Sequence, residues 1–375
     1  MKDFENILLS TEDFKINKDY ILDVNNNNIY NKKIIDYYKK LFREFECDKL
    51  NFTKLSNPIC KTKISNLTNC NRFWNCDVYY QNMTKDFIST NLCHDKFCNN
   101  CKKVVQASRM SKYIPEIEPY KEKLYHLTLT IPNVNSKNLL NALNKMSKCF
   151  KKLMEYIYCH NCHICSFYDF SKIGYKGAIR SLEITFKNDN YHPHYHCAFV
   201  FDNLELDKKY KNIYSTDFYK NRGDRLFSEF EIVIQKIWYM IWNNIRINKK
   251  NFDELEQGYS CICDKFYDDD YMELFKYMTK SIDENDNILT YDNFKTLYIA
   301  TYRLKQIQGY GCFYHINDNN LNDEIDNIYA DIKYFLETTD DKPEFKSYDL
   351  LELLNDDKFL IISRKKIYQY LKSLK

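Results

Sequence analysis

The sequence has few glycines and prolines, a small net charge and no long apolar segment. Its 375 residues include six glycines and six prolines, and we assign this bias, with its high Asn, Lys, Ile and Tyr content, to an AT-rich gene. No apolar run is long enough to cross a bilayer, and the mean hydropathy is −0.61. A net charge of +3 is too small to indicate nucleic-acid binding from composition alone. With 44% hydrophobic residues, the chain can bury a sizeable core, divided over about two domains.

A secretory signal and a nucleotide-binding loop are also missing. The first residues, MKDFENILLSTEDF, lack the basic start and apolar core of a signal peptide, so we expect a cytoplasmic protein. In that compartment, fifteen cysteines indicate free thiols and metal ligands rather than disulfides. No GxxxxGK[ST] loop is present, so the sequence gives no sign of a helicase.

Strand and helix patterns alternate irregularly along the chain. The strictly alternating segment LYHLTLTIP predicts a strand, and a helical pattern follows from Ser136 to about Tyr158. Two more predicted strands, AIRSLEITF and HPHYHCAFVF, lie on either side of KNDNY. Because regular βαβ spacing is missing, we predict an α+β fold. It has a central antiparallel sheet with flanking helices, a Cys-rich N-terminal segment and a helical C-terminal region.

Three of the eight histidines alternate along the last of these strands, in NDNYHPHYHCAFV. Alternate residues share one face of a strand, so His192, His194 and His196 lie on one face while Tyr195 points to the core. A single histidine on a strand is usually a satisfied polar residue. A row of imidazoles on one face can instead converge on a metal ion.

The preceding strand offers a carboxylate to the same site. In RSLEITF, Glu183 lies on the polar face of the predicted sheet. A two-residue turn at 188–189 would place Glu183 opposite His194, whereas a turn at 189–190 would place it opposite His196. Two histidines and one carboxylate leave positions on a metal ion for water or phosphate, as a catalytic metal requires.

A later helical pattern, DDDYMELFKYMTKSID, carries a tyrosine between a carboxylate and a lysine. Glu273, Tyr277 and Lys280 have the spacing of residues on one helix face. Most of the 33 tyrosines are expected to serve packing, since a phenol is a poor nucleophile unless its pKa is lowered or its proton is taken. A neighbouring lysine and a metal-held phosphate would favour that activation.

Three cysteines of CHDKFCNNC are candidate ligands of a structural zinc ion. They are Cys93, Cys98 and Cys101. The candidates for the fourth ligand are Cys70, Cys76 and His94. The alternative is a set of buried free thiols. A second cluster, at Cys159, Cys162 and Cys165, is interpreted as helical continuation with incidental thiols rather than as a zinc knuckle.

Taken in order, these motifs resemble those of plasmid rolling-circle replication initiators (Rep proteins) of the HUH endonuclease class, which are single-tyrosine, metal-dependent nickases. LYHLTLTIPN is similar to the family's first motif, GAIRSLEITFKNDNYHPHYHCAFVF to the second and ELFKYMTKSID to the third. RLKQIQGYGCF resembles a later Arg and Gly-aromatic stretch of the family. The Cys-rich segment resembles one that precedes the first motif. The similarity covers roughly residues 70–315.

The resemblance implies a role for each matching residue of the third and later motifs. Tyr277 would attack a phosphodiester at the replication origin and retain the 5′ phosphate as a phosphotyrosyl ester. Lys280 would contact the phosphate or the tyrosyl oxygen. Glu273, which stands where some relatives have a second tyrosine, would act as general base for water at termination. Arg303 would contact DNA.

The second motif implies the metal site. His194 and His196, with Glu183, would hold Mg²⁺ or Mn²⁺ to polarise the scissile phosphate. His192 fits the family's His-Pro-His-x-His pattern, as a third histidine ligand, a phosphate contact or a hydrogen-bond partner. The cysteines add a candidate structural Zn²⁺.

The implied function is origin-specific nicking and strand transfer on single-stranded or cruciform DNA, which initiates plasmid replication and, with a general base, terminates it. The implied partners are DNA, a host helicase and a host polymerase in the bacterial cytoplasm, with no membrane. The expected regions are 1–69, helical and polar; 70–115, Cys-rich; 116–315, the nickase domain; and 316–375, an acidic then basic helical tail. The alternatives are a transposase or relaxase, a zinc-stabilised DNA-binding protein without nicking activity, and a metal phosphodiesterase that uses water.

Overall fold

The chain forms two compact units, and each contains a β-sheet. A computed structural model describes residues 15–47, 58–81, 83–158, 167–211, 225–275, 289–316 and 342–363. One unit comprises Met1–Lys112 with Asn319–Lys375, and the other comprises Tyr113–Asp318. Both sheets are largely antiparallel and carry helices, so the predicted α+β class is confirmed.

The elements are numbered in chain order. The helices are α1 (Lys18–Cys47), α2 (Pro58–Thr68), α3 (Asn99–Ile117), α4 (Ser136–Ile157), α5 (Glu229–Trp242), α6 (Lys249–Glu254), α7 (Asp268–Leu274), α8 (Tyr291–Ala300) and α9 (Leu350–Leu354). The strands are β1 (Phe73–Tyr79), β2 (Thr84–Thr90), β3 (Leu124–Thr130), β4 (Tyr175–Lys187), β5 (Asn190–Phe201), β6 (Cys261–Lys265), β7 (Ile307–Gly311), β8 (Glu344–Asp349) and β9 (Leu360–Ile362). Within the described ranges, none of these helices has both the length and the apolar character needed to span a membrane.

The first unit has a four-stranded sheet in the order β8-β1-β2-β9. Strand β1 alternates apolar and polar residues, so Trp74 and Cys76 point inward and pack with Phe87 of β2. Ile21 of α1 and Leu353 of α9 complete this cluster. The C-terminal region therefore supplies two strands as well as a helix, since β8 and β9 form the edges of the sheet. The basic segment predicted as a helix at the chain end lies outside the described residues from Arg364 onward.

The second unit has a five-stranded sheet in the order β6-β3-β5-β4-β7, with every neighbouring pair antiparallel. Helix α4 covers one face, because its apolar residues recur at helical spacing and Phe150 packs edge-on against Tyr195 of β5. The opposite face of β5 carries the alternating histidines. The sheet thus separates an apolar side, under α4, from a polar side that holds the candidate site.

The long hairpin of β4 and β5 sets the register of that site. The strands pair as far as Lys187 and Asn190, which leaves Asn188 and Asp189 as the two-residue turn. Glu183 therefore stands opposite His194. Of the two turns that the sequence allowed, the structure selects the one at 188–189, which keeps the carboxylate on the face of the histidines.

The turn depends on Asn188, whose φ of 53° lies in the left-handed region. Replacing Asn188 with valine is expected to lower the free energy of unfolding by about 1–2 kcal/mol, because a β-branched residue is strained at positive φ. Asn188→Gly is the matched control and should leave stability unchanged or slightly higher. Urea denaturation measures both. Equal losses in the two variants would contradict the backbone explanation and point to a side-chain contact of Asn188.

Candidate active site

Three candidate ligands converge on the polar face of the hairpin. Glu183 Oε2 lies 2.9 Å from His194 Nε2 and 3.1 Å from His196 Nε2. All three residues are buried, with 4%, 8% and 8% of their surface exposed. One donor atom from each lies within 4.8 Å of the other two. The sequence prediction that these three residues come together therefore matches the geometry of the hairpin.

The backbone fixes which nitrogen of His194 faces the carboxylate. Its Nδ1 lies 3.2 Å from the carbonyl oxygen of His192. A carbonyl only accepts hydrogen bonds, so Nδ1 carries a proton and donates it, and the tautomer that this bond selects has its lone pair on Nε2, facing Glu183. Two acceptors facing each other at hydrogen-bond distance require a cation between them. A second proton or a metal ion meets that requirement.

Protonation states at the site suit a metal ion. Burial raises the pKa of Glu183, but the hydrogen bonds and charges of His194 and His196 outweigh it and hold that pKa well below its usual range. Burial lowers the pKa of His196, ahead of the opposing hydrogen bond to Glu183. An ionised carboxylate and a neutral imidazole are the forms that bind metals.

The residues fit a divalent cation by spacing and by chemistry. Neighbouring ligand atoms around an octahedral ion with bonds of about 2.1 Å lie roughly 3 Å apart, close to the two distances from Glu183 Oε2. Carboxylate oxygens suit Mg²⁺ and Mn²⁺, and imidazole nitrogens are common ligands of transition metals. Glu183, His194 and His196 therefore fit a divalent cation, and the choice between Mg²⁺ and Mn²⁺ stays a prediction.

His192 lies beside the triad but is not a member of it. Its ring centroid is 5.3 Å from that of His194, and its ring nitrogens do not belong to the group of converging ligand atoms. Burial, and then the neighbouring His194, lower the pKa of His192 to about 4. The contact of His192 with the triad is made by its backbone carbonyl, which accepts from His194 Nδ1, while the role of its imidazole stays a prediction.

The contribution of the His192 side chain can be measured directly. Replacing His192 with alanine keeps the carbonyl, so we expect the Mn²⁺ dissociation constant to rise by less than about threefold. Replacing His194 with alanine removes a ligand and should raise it at least about 100-fold. Isothermal titration of metal-free protein compares the two variants. Comparable losses in both would place the His192 imidazole among the ligands.

Two residues at the site were missed by the sequence prediction. His126 of β3 places its Nε2 3.2 Å from His196 Nδ1, and Asp270 of α7 places its Oδ1 2.7 Å from His126 Nδ1. The strict alternation of LYHLTLT does put His126 on the polar face with Thr128, which was an available signal. No comparable signal pointed to Asp270, because its contact joins segments far apart in sequence.

The predicted nucleophile lies outside the described part of the chain. Helix α7 ends at Leu274, and Tyr277 and Lys280 fall within residues 276–288, which are not described. Glu273 is described and half-buried, one turn after Asp270 on α7.

Arg303, the predicted DNA contact, follows α8. It is exposed, has a φ of 55° and lies 5.3 Å from the centroid of the Tyr302 ring. Its guanidinium is therefore on the surface, shortly before β7, where a phosphate could reach it.

Four cysteines form a second candidate metal site in the first unit. Cys70 Sγ lies 3.5 Å from the sulfurs of Cys98 and Cys101, and Cys93 Sγ lies 3.5 Å from that of Cys101. Sulfurs around a tetrahedral zinc with bonds of about 2.3 Å lie roughly 3.8 Å apart. None of the four is in a disulfide. The arrangement fits a Cys₄ zinc site.

Of the three candidates for the fourth ligand, the structure brings Cys70 to the other three cysteines. Cys76 faces the hydrophobic cluster between Trp74 and Phe87, because strand alternation turns it into the core of the first sheet. His94 is exposed and is not among the converging ligands. The cluster at Cys159, Cys162 and Cys165 lies outside the described residues.

Helix α1 supplies a hydrogen bond to the cysteine cluster. Asn31 Nδ2 donates to Cys98 Sγ over 3.1 Å. Burial raises the pKa of Cys98, but hydrogen bonds from the neighbouring thiols hold it well below its usual range. A thiolate at Cys98 with an N–H donor beside it is the form that binds zinc.

The chain was compared with protein families, curated proteins and solved structures. A family model described as "Replication protein" matches residues 84–350, which is more than half of the chain. The match includes β3, the hairpin of β4 and β5, and α7. No curated protein and no solved structure is detectably similar to the chain.

Proposed function

We propose that this chain, which belongs to the replication protein family of plasmid rolling-circle replication initiators, nicks single-stranded DNA at the replication origin. It then transfers the strand through a 5′-phosphotyrosyl intermediate. The observation that supports this most is the buried convergence of Glu183, His194 and His196 on the polar face of the sheet. Such a set holds an ion with positions left for a phosphate. The proposed nickase domain is 116–315.

In the proposed reaction, the phenolic oxygen of Tyr277 attacks the scissile phosphorus. The new O–P bond forms as the bond from phosphorus to the 3′ oxygen breaks, and the phenolic proton passes to a base or to solvent. The released 3′-OH primes synthesis by a host polymerase, after a host helicase opens the duplex. When bound by Glu183, His194 and His196, a divalent cation would neutralise charge on the phosphate. Because the ester conserves the energy of the broken bond, rejoining needs no ATP.

The start of α7 supports Tyr277 as the attacking residue. Asp270 joins this helix to the metal face through His126, and Tyr277 follows Asp270 by seven residues in the sequence. Glu273 follows Asp270 by one helical turn, which suits a general base for water at termination. We assign Lys280 to the phosphate or tyrosyl oxygen and surface-exposed Arg303 to the DNA backbone.

We further propose a structural Zn²⁺ held by Cys70, Cys93, Cys98 and Cys101. Four mutually close sulfurs with an amide donor to one of them are the observation behind this assignment. The role is structural because four thiolates leave no position for substrate.

The test is a covalent adduct. Metal-free protein is mixed with Mn²⁺ and a labelled single-stranded oligonucleotide from its plasmid's origin, denatured, and the labelled band is digested for mass spectrometry. We expect a denaturation-resistant adduct on the peptide that contains Tyr277, and none with EDTA or with a scrambled oligonucleotide. Binding without any adduct would favour a DNA-binding protein that does not nick. An adduct on another residue would overturn the assignment of Tyr277.

A further inference from the structure

We propose that His126 and Asp270 are positioning residues that fix the tautomer and orientation of His196, so that its Nε2 is ready to bind the metal. The inference rests on the proposed function, since it assumes that His196 is a ligand. It adds two residues, on β3 and α7, that lie outside the metal-binding hairpin.

The three side chains form a continuous chain of hydrogen bonds. Asp270 Oδ1 lies 2.7 Å from His126 Nδ1, and His126 Nε2 lies 3.2 Å from His196 Nδ1. The side chains of His126 and Asp270 are 14% and 19% exposed, so water reaches them little. The second carboxylate oxygen of Asp270 accepts from the N–H of Tyr267 over 2.7 Å, which fixes the carboxylate at the start of α7.

The chemistry of these partners determines where the protons lie. A carboxylate only accepts, so His126 donates from Nδ1, and the tautomer that this bond selects has its lone pair at Nε2. That lone pair accepts the proton of His196 Nδ1. This bond favours the tautomer of His196 whose lone pair lies on Nε2, the atom that a metal ion would share with Glu183 Oε2, 3.1 Å away. Without an ion, the Glu183 carboxylate favours a proton on that same Nε2, so the two partners compete.

The Nδ1 atoms of His194 and His196 are thus held by different kinds of partner. The Nδ1 of His194 is held by the backbone carbonyl of His192, within the same strand. The Nδ1 of His196 is held by a side chain from the next strand, which is itself held by a helix. Second partners of this kind commonly account for 10- to 100-fold in metal affinity. This chain of hydrogen bonds from Asp270 through His126 to His196, called the relay below, also links α7 to a metal ligand. Helix α7 carries the proposed base Glu273.

The experiment measures Mn²⁺ affinity of the metal-free full-length protein by isothermal titration. His126→Ala is expected to raise the dissociation constant about 10- to 100-fold. His126→Gln should keep it within about fivefold of wild type, because an amide has one donor and one acceptor group. His315→Ala, a substitution of a histidine whose side chain is 65% exposed, is the matched control and should change nothing. A dissociation constant for His126→Ala within about threefold of wild type would overturn the inference.

A second variant reverses the direction of these hydrogen bonds while keeping the shape of the side chain at position 270. In Asp270→Asn, the amide oxygen satisfies the Tyr267 N–H, and the amide nitrogen then donates to His126. His126 would be forced into the other tautomer and would present a donor to His196. We expect a loss of affinity similar to that of His126→Ala. Asp292→Asn, an exposed acidic residue in the first turn of α8, is the control.

The tautomer of His196, measured by NMR, distinguishes a positioning role of His126 from a general loss of structure. Long-range ¹⁵N–¹H NMR of histidine-labelled, metal-free Glu183→Ala protein, in which no carboxylate competes for a proton on Nε2, should show His196 as the Nδ1–H tautomer, and as a mixture once His126→Ala is added. An unchanged tautomer would refute the relay. Failure of the metal site itself looks different, because wild type would then bind no Mn²⁺, or Glu183→Ala and His194→Ala would bind it as well as wild type.

Discussion

Replacing Glu183 with alanine is expected to lower the rate of origin nicking at least about 1,000-fold, equivalent to roughly 4 kcal/mol of transition-state stabilisation. The carboxylate is 4% exposed and bonded to both His194 and His196, so its loss removes the anionic ligand and a partner of each imidazole. Nicking of a labelled origin oligonucleotide under single-turnover conditions measures the rate. Isothermal titration with Mn²⁺ should show a parallel loss of binding.

Two further variants separate loss of the ligand from loss of the fold. Glu183→Gln keeps the shape but not the charge, so we expect it to lose most of the nicking activity as well. Glu155→Ala changes a glutamate of α4, the helix that packs on the opposite face of the sheet, and should nick like wild type. Nicking by Glu183→Ala within about tenfold of wild type would refute the metal site.

Replacing Cys98 with alanine is expected to remove the bound zinc and to lower the midpoint of thermal unfolding by at least about 10 °C. Structural zinc contributes directly to folding, and Cys98 contacts Cys70 and accepts a hydrogen bond from Asn31 of α1. Zinc is counted by atomic absorption on protein purified without chelator. Calorimetry then measures the unfolding transition with and without added Zn²⁺.

The matched control is Cys76→Ala in the same unit. Cys76 is fully buried in the hydrophobic cluster and lies apart from the four sulfurs, so this variant should keep its zinc and lose about 1 kcal/mol of stability. Purified wild-type protein without zinc, or a Cys98→Ala variant with an unchanged zinc content, would contradict the Cys₄ assignment. An equal loss of zinc in Cys76→Ala would restore Cys76 as a candidate ligand.

The hairpin could be predicted because its register depends only on residues that are close together in the sequence. Period-two alternation fixes which residues of β4 and β5 share a face, and the short loop limits the register to a few choices. The sequence left two turns that keep Glu183 with the histidines. The structure decides between them through the positive φ of Asn188, which an asparagine tolerates better than most residues.

The remaining parts of the site depend on contacts between distant segments. Asp270 reaches His126 only because α7 packs beside the sheet, and no spacing along the chain predicts that contact. The preference for Cys70 over Cys76 follows from the direction in which β1 turns its side chains, once pairing with β2 fixes the sheet. The strands β8 and β9 were missed for the same reason. Tyr277 and Lys280 stay predictions, carried by the family resemblance.

The two-residue turn between β4 and β5 has a consequence for the order of assembly. Hairpins close within microseconds, whereas pairing of distant segments is slower because more chain entropy is lost first. During synthesis, Glu183, His194 and His196 can therefore meet as soon as β5 is complete, well before α7 exists. Asp270 would arrive later and bond to His126, which in turn holds His196 after that imidazole has already met Glu183. Binding of the metal by the hairpin and fixing of His196 by His126 and Asp270 would then be separate steps in the folding of the protein.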